Sequence, residues 1–341
     1  MSSGGNSLKI SLIKYPNLNA KLKAMYANRL TKENINDIIK QNNIKNVVLL
    51  LKNKSDIFKN TQENIDRLEI EKLLDEVLLK DILKINKYLG NKDTVLFAFF
   101  LRQYEIKCVK SILRKLYSDD KTNDTIIQNV KMWTTSLFHE IKGMETIENF
   151  DDFFKAIKRM GNYSFIKKYQ NQENINIFEI ENEIDKLYFE KLYDKGQSNK
   201  NLTKIIGAEI DLLNIEWIIR IKKFYNFDKQ RLSNILINRY YKLKPNILNK
   251  IIDTNSFDEI KTILSKTPYK NVFISETEFE DNVDRFLYKI NYKIFKEDIF
   301  SIAYIFAYIN LVDYENNDII NVIEGIRYGM DKEEIIKRLA R

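Results

Sequence analysis

The chain has 341 residues, with 56 Lys and Arg against 48 Asp and Glu, a formal net charge of +8 and a pI near 9.1. One Cys (Cys108) and one His (His139) exclude an internal disulfide, a structural zinc site built from Cys and His, and any nucleophile–His centre that does not use His139. Nine Gly and three Pro are too few for the tight turns of a strand-rich fold, so an all-α chain is predicted.

The opening MSSGGNS is small and polar, and residues 1–11 are predicted to be a flexible N-terminus without a secretory signal. A helix follows from Tyr15 to Leu30, and Thr31 is placed to cap the next one. The apolar segment Ile44–Leu51 then begins a pattern. It recurs at Phe150–Ile157 and Phe257–Leu264, 106 and 107 residues further on each time. Asn149 and Ser256 stand one residue before the later copies as helix caps, and Tyr163 and Tyr269 close them; Ile57-Phe58 stands near the first. A second phrase is centred on Asp66, Asp185 and Asp284, with looser spacings of 119 and 99. A third is the most regular: EIKCVKSILR from Glu105, DLLNIEWIIR from Asp211 and DIINVIEGIR from Asp318, spaced by 106 and 107. In its central copy Leu212, Ile215 and Ile219 share one helical face.

A period near 107 residues divides the chain into three similar helical domains, each large enough to bury a core of its own. Cuts near 120 and 228 give domains 12–120, 121–228 and 229–341. The longest apolar run, Ile299 to Val312, has fourteen residues. A membrane span needs about 20, so a buried core helix in a soluble, cytoplasmic protein is expected.

The repeated arginines Arg114, Arg220 and Arg327 admit two readings. Each could pair with an aspartate of its own unit, with Asp66, Asp185 and Asp284 as the structural ion-pair candidates. Alternatively, the three could line a shared concave surface and hold a partner. Glu216 and Arg220, four apart, have the spacing of an exposed ion pair, and Glu324 and Arg327 are three apart. The acid pairs Asp119-Asp120, Asp151-Asp152 and Glu280-Asp281 are assigned to helix N-terminal charge, because adjacent acids on a helix do not converge on a metal. His139 is read as an ordinary helix residue and Cys108 as a small, half-buried side chain in the Asn slot of the third phrase. No phosphate loop, dinucleotide fingerprint or HExxH occurs, so no cofactor is predicted. Charges of both signs are mixed along the chain, and no nucleic-acid partner is predicted.

Five segments together resemble the C subunit of the bacterial and archaeal V/A-type rotary ATPases, the relative of the vacuolar ATPase d subunit. They are Tyr15 to Thr31 with Asn19-Ala20-Lys21-Leu22-Lys23-Ala24; Phe178 to Phe189; Glu209 to Asn214 with Arg220 and Lys222; Tyr240-Tyr241-Lys242-Leu243; and Tyr308 to Gly329. The resemblance covers residues 12–340. Three positions depart from the family pattern: Lys21 and Lys23 stand where arginines are common, and Cys108 replaces an Asn.

The resemblance implies a non-enzymatic rotor subunit: three helical domains set as a funnel about a pseudo-threefold axis, on the cytoplasmic face of the membrane. The implied partners are central stalk subunits D and F and the membrane proteolipid ring, with the membrane stator subunit as a further neighbour. Arg114, Arg220, Arg327, Lys21, Lys23 and Asn214 become the candidate stalk contacts. A helical adaptor for another protein or RNA is the alternative.

Overall fold

The computed structural model describes residues 16–41, 43–62, 65–117, 131–133, 137–170, 175–225 and 227–341. Residues 1–11, the boundary near 120 and the pair Asp119-Asp120 lie outside them. Every described regular element is helical.

Short helices come first in each copy of the pattern. In the first copy they are α1 (Pro16–Ala27), α2 (Lys32–Ile39) and α3 (Ile44–Lys54). Thr31 caps α2 in a reciprocal capping box with Asn34. The apolar segment of the sequence pattern becomes α3, α6 (Phe150–Lys158) and α11 (Phe257–Leu264), which start at the three equivalent residues 44, 150 and 257. Asn43, Asn149 and Ser256 each accept a backbone N–H from the residue three positions on. Asp151 and Asp152 fall in the first turn of α6, where the helix dipole favours acids.

Six long helices make the frame: α4 (Arg67–Asn86) and α5 (Asn91–Tyr117), α7 (Ile177–Gly196) and α8 (Lys200–Phe224), α12 (Phe279–Glu297) and α13 (Ile302–Arg327). The members of each pair are joined by turns at 87–90, 197–199 and 298–301. Between pairs, α5 packs on α7, α8 on α12, and α13 returns to α4. The six helices therefore close on themselves. The remaining helices, α9 (Lys229–Ile235), α10 (Pro245–Asp253) and α14 (Lys332–Lys337), sit between or beyond the pairs; α10 packs on α8 and α14 on α13.

The third phrase forms the C-terminal part of α5, α8 and α13, and its arginines all reach one end of the bundle. Arg114 meets Glu181 in the second turn of α7, Arg220 meets Glu280 in the first turn of α12, and Glu324 faces Arg67 at the start of α4. The opposite end holds the three turns. There the helices pack on apolar contacts: the Phe100 and Phe306 rings lie 4.0 Å apart and Phe97 stands 6.3 Å from Phe306. Asn201 of α8 donates to Asp298 in the last turn at 2.7 Å. The apolar run Ile299–Val312 forms the first half of α13, where residues 303–309 are fully buried. No helix among the described residues is long and apolar enough to cross a membrane.

The short helices of one copy pack on the long helix of the copy before it. Leu30, Ile35, Val47, Leu51 and Phe58 share a core with Ile319, Val322 and Ile323 of α13. The arrangement is an interlock, in which the first short helices cover the last long one.

Candidate functional site

At the arginine end, Arg114 donates to both oxygens of Glu181, from Nε at 2.6 Å and Nη2 at 2.8 Å. This is the planar two-pronged contact that only Arg makes with a carboxylate. Arg220 donates to Glu280 at 2.7 Å. The third joint differs. Arg327 turns back to Glu324 of its own helix at 2.9 Å, Glu324 lies 4.0 Å from Arg67, and Arg67 binds Glu71 at 2.6 Å.

The expected pairing within each unit is therefore corrected. Arg114 and Arg220 bind across helix pairs, and neither binds an aspartate of its own unit. Asp185 goes to Lys110 instead, one turn below Arg114 on α5. Asp66 is the N-cap of α4, in a capping box with Glu69. Glu71–Asp75, Glu181–Asp185 and Glu280–Asp284 occupy the same place near the start of α4, α7 and α12, each pair four residues apart. Asp75, not Asp66, is thus the first-copy partner of Asp185 and Asp284. The exposed Glu216–Arg220 pair also gives way, because Glu280 of the next helix pair takes the guanidinium.

The acids that open the third phrase are buried. Glu105, Asp211 and Asp318 are 5%, 0% and 1% exposed. Tyr163 donates to Glu105 at 2.7 Å and Tyr269 to Asp211 at 2.8 Å. Asp211 also accepts the backbone N–H groups of Tyr241, Lys242 and Leu243. The first copy has Phe58 near the tyrosine position and cannot donate; Asp318 takes the N–H of Ala340 at 2.7 Å and lies 3.3 Å from Arg341 Nε. Burial pushes Asp318 up to about 6, opposed by that N–H and by Arg341.

Asn214 is fully buried. It donates to the carbonyl of Ile237 at 3.1 Å and accepts its N–H at 2.9 Å. A side chain enclosed this way cannot touch a second protein, so its candidacy as a stalk contact is withdrawn. Lys21 donates to Tyr88, beside the first turn, and so lies at the end opposite the arginines. Lys23 is exposed on α1. Cys108 is buried rather than half-exposed, and its thiol is pushed up to about 12 by burial. His139 begins a single 3₁₀ turn and is exposed.

Between the helices, carboxylates gather that include Asp185 and Asp284 of the second phrase and Glu216 of the third, with Glu209 and Asp75 added from outside them. Burial pushes Glu209 of α8 up to about 7; Lys107 opposes the shift, and Asp185, Asp313 and Asp284 add to it. Glu216, two turns along the same helix, is pushed up to about 8 by burial, with Arg220 opposing and Glu280, Asp284 and Glu209 adding. Asp75 and Asp284 each rise to about 6, again chiefly by loss of water. Charges from α4, α5, α7, α8, α12 and α13 thus sense one another around a common centre. The signal in sequence was the helical spacing of Glu209, Glu216 and Arg220, which keeps them on one stripe of α8. Among the described residues no group of His, Cys, Asp and Glu is arranged to hold a metal ion.

The profile of the ATP synthase (C/AC39) subunit family matches residues 18–338. Among curated proteins, the chain is similar to the A-type ATP synthase C subunit of Methanococcoides burtonii, 24% identical over 260 residues, which covers 72% of this chain and 70% of that one. The C subunit of Methanosarcina barkeri is 24% identical over 270 residues, 74% and 72% of the two chains. That of Desulfurococcus sp. is 22% identical over 270 residues, 76% and 69%. The match runs through all six long helices and the short ones between them, and the chain belongs to the C/AC39 subunit family of ATP synthases.

Proposed function

We propose that this chain is the non-catalytic rotor coupler of a V/A-type ATPase, joining the central stalk of subunits D and F to the membrane proteolipid ring. The observation that carries the reading is the closure of six helices with two unlike ends. The turn end is held by apolar contacts such as Phe100–Phe306, while the arginine end carries a polar interior. Helices that touch at one end and diverge in polarity at the other suit a funnel of three similar domains, 12–120, 121–228 and 229–341. The stalk enters at the arginine end. The turn end, where Tyr88, Val95 and Phe300 are exposed, rests on the ring at the cytoplasmic face of the membrane, within reach of the stator subunit.

Torque demands stiffness across the joints between domains. Arg114–Glu181, Arg220–Glu280 and the Arg67–Glu71–Glu324–Arg327 chain cross or flank those joints. Exposed pairs contribute about 0–1 kcal/mol each to stability, so their use is to fix register and orientation rather than to hold the fold. Reversing Arg220 to Glu should uncouple ATP hydrolysis from ion transport in the assembled complex while the isolated head hydrolyses ATP as before. Full coupling in a correctly folded Arg220→Glu complex removes Arg220 from the transmission path.

A further inference from the structure

A cleft of about 630 Å³ opens in the first copy of the pattern, between the end of α1, the last turn of α3 with the 3₁₀ turn Asp56–Phe58, and the last turns of α4. Its walls carry Arg29, Lys52, Lys54, Lys59 and Lys84 against Asp56 and Asp81. With Asp37, which holds Lys54 at 3.3 Å from outside the lining, five cations face three acids. Lys59 pairs with Asp56 and Lys84 with Asp81, while Lys52 has no carboxylate partner among the described residues. Arg29 is the unusual member. Its side chain is 5% exposed, and neither Nη1 nor Nη2 has a hydrogen-bond partner among the described residues. Its ion-pair partner Asp81 stands 3.8 Å from Nη2 and already accepts the Tyr308 hydroxyl at 2.8 Å. Glu315, which also senses Arg29, takes the N–H of Leu30 and lies 3.9 Å from Arg341. A buried guanidinium left without hydrogen bonds is costly, and an acceptor that reaches it gains a charge-assisted bond. Lys52, Lys54 and Lys84 alone would only complement the negative ends of α3 and α4; Arg29 belongs to neither helix. In the register set by residues 44, 150 and 257, Lys54 stands opposite Met160 and Thr267, so the shared fold does not require this charge.

We propose that this cleft binds a phosphate-bearing anion, with the buried Arg29 and the more accessible Lys52 and Lys84 as its cationic contacts. A phosphate group presents several acceptor oxygens to donors on different elements; it suits the two-pronged fork of Arg, and Lys serves it as a point charge. The cleft has the size of a small-molecule site, so its ligand carries more than one phosphate, or one phosphate on a larger body. Two sources share that chemistry: a soluble polyphosphate and the headgroup of an anionic phospholipid. Asp81 and Lys84 lie in the last two turns of α4, just before the turn at 87–90, so the cleft opens toward the turn end of the bundle. Binding from either source leaves the coupling role as it stands.

The test titrates the full chain with inorganic tripolyphosphate in a calorimeter and floats it with vesicles of phosphatidylcholine, alone or mixed with phosphatidylglycerol. Lys52→Gln with Lys84→Gln should weaken binding about tenfold. Lys244→Gln with Lys266→Gln removes the same charge from exposed positions of the third copy and should leave binding unchanged. Arg29→Lys keeps the charge without the fork and should also weaken binding about tenfold. Melting without ligand reports whether that buried change still folds, and the lysine pair decides the matter if it does not. Tripolyphosphate binding that is lost in the Lys52/Lys84 variant supports the site and a soluble ligand. Binding only to the phosphatidylglycerol vesicles, lost in the same variant, supports the site and a lipid headgroup. If wild type binds neither probe, if the Lys52/Lys84 variant binds as wild type does, or if the third-copy variant loses as much, the site is overturned.

Discussion

The hydroxyl of Tyr269 donates to Oδ2 of Asp211 at 2.8 Å, from a residue 58 positions further along the chain. Tyr163 makes the same bond to Glu105 across an identical 58 positions. In both cases a tyrosine in the turn after a short helix holds a carboxylate buried in the long helix before it. Removing the hydroxyl leaves a buried acceptor short of a charge-assisted bond, a loss of about 1.5–3 kcal/mol. Tyr269→Phe should lower the denaturation midpoint without changing the slope. Asp211 keeps three backbone donors, so Tyr163→Phe should cost at least as much as Tyr269→Phe. A Tyr163→Phe variant as stable as wild type would show that the Glu105 bond adds nothing.

Asn214 ties α8 to the backbone of Ile237 with both ends of its amide. Asn214→Leu would strand a buried N–H and a buried carbonyl, at about 2–4 kcal/mol together. Thermal melting should record the loss, and stalk affinity at a temperature where the variant is folded should match wild type. Loss of stalk affinity in a variant of normal stability would restore Asn214 as a contact.

Arg220 and Glu280 can be exchanged. If they only brace α8 against α12, Arg220→Glu with Glu280→Arg should recover the coupling that either single change loses. Should Arg220 also touch the stalk, the exchange will restore melting temperature and leave coupling impaired. Coupled proton or sodium transport in reconstituted complexes, set beside melting, separates the two.

Glu209 and Glu216 make stability depend on pH in an unusual direction. Their carboxyls are raised to about 7 and about 8 in the folded chain, against an ordinary value near 4.5. Between these limits the folded state holds more protons than the unfolded state, so stability falls as pH rises. This contribution is full below about pH 4.5 and gone above about pH 8. The isolated chain should melt lower at pH 8.5 than at pH 6, and Glu209→Gln with Glu216→Gln should reduce the difference. An unaltered pH profile in the double variant would mean that the two acids ionise as they would in water.

Gly207 sits where α8 passes the 241 loop: a Cβ there would lie 2.6 Å from Cβ of Tyr241 and 2.8 Å from its Cγ. Neither atom is the free end of a flexible side chain. Gly207→Ala should therefore destabilise by about 1–3 kcal/mol, despite the better helix propensity of Ala. Greater stability in a denaturant series would show that the loop can shift at no cost.

Much of the frame was legible in the sequence because it rests on local chemistry. The starts at 44, 150 and 257 follow from an apolar helix phrase with a short polar residue before it. The third phrase located α5, α8 and α13, whose arginines all reach one end. The pairing was not legible. Sequence repeats suggest that each unit contains its own contacts, whereas Arg114 and Arg220 reach into the next helix pair, and only closure in space decides that. Asp66 misled because capping residues and ion-pair acids share the same letter. The place of Lys21 beside the first turn was not legible either, because proximity in sequence to a family motif does not reveal which end of a bundle a residue occupies. Glu216 was read as half of an exposed ion pair and Glu209 was passed over, because on one helix they look like ordinary solvated acids; their raised carboxyls come from burial between helices and from acids on the neighbouring ones.

The interlock of the first short helices with the last long one bears on how the chain is made. The N–H of Leu30 finds its acceptor on Glu315, 285 residues later, and Val47, Leu51 and Phe58 are covered by Ile319, Val322 and Ile323. During synthesis at about 5–20 residues per second, this apolar face waits roughly 15–60 s for its cover. A segment that leaves the ribosome long before α13 is thus buried only once α13 follows it. A nascent chain of this kind is an expected client for a holding chaperone until α13 emerges.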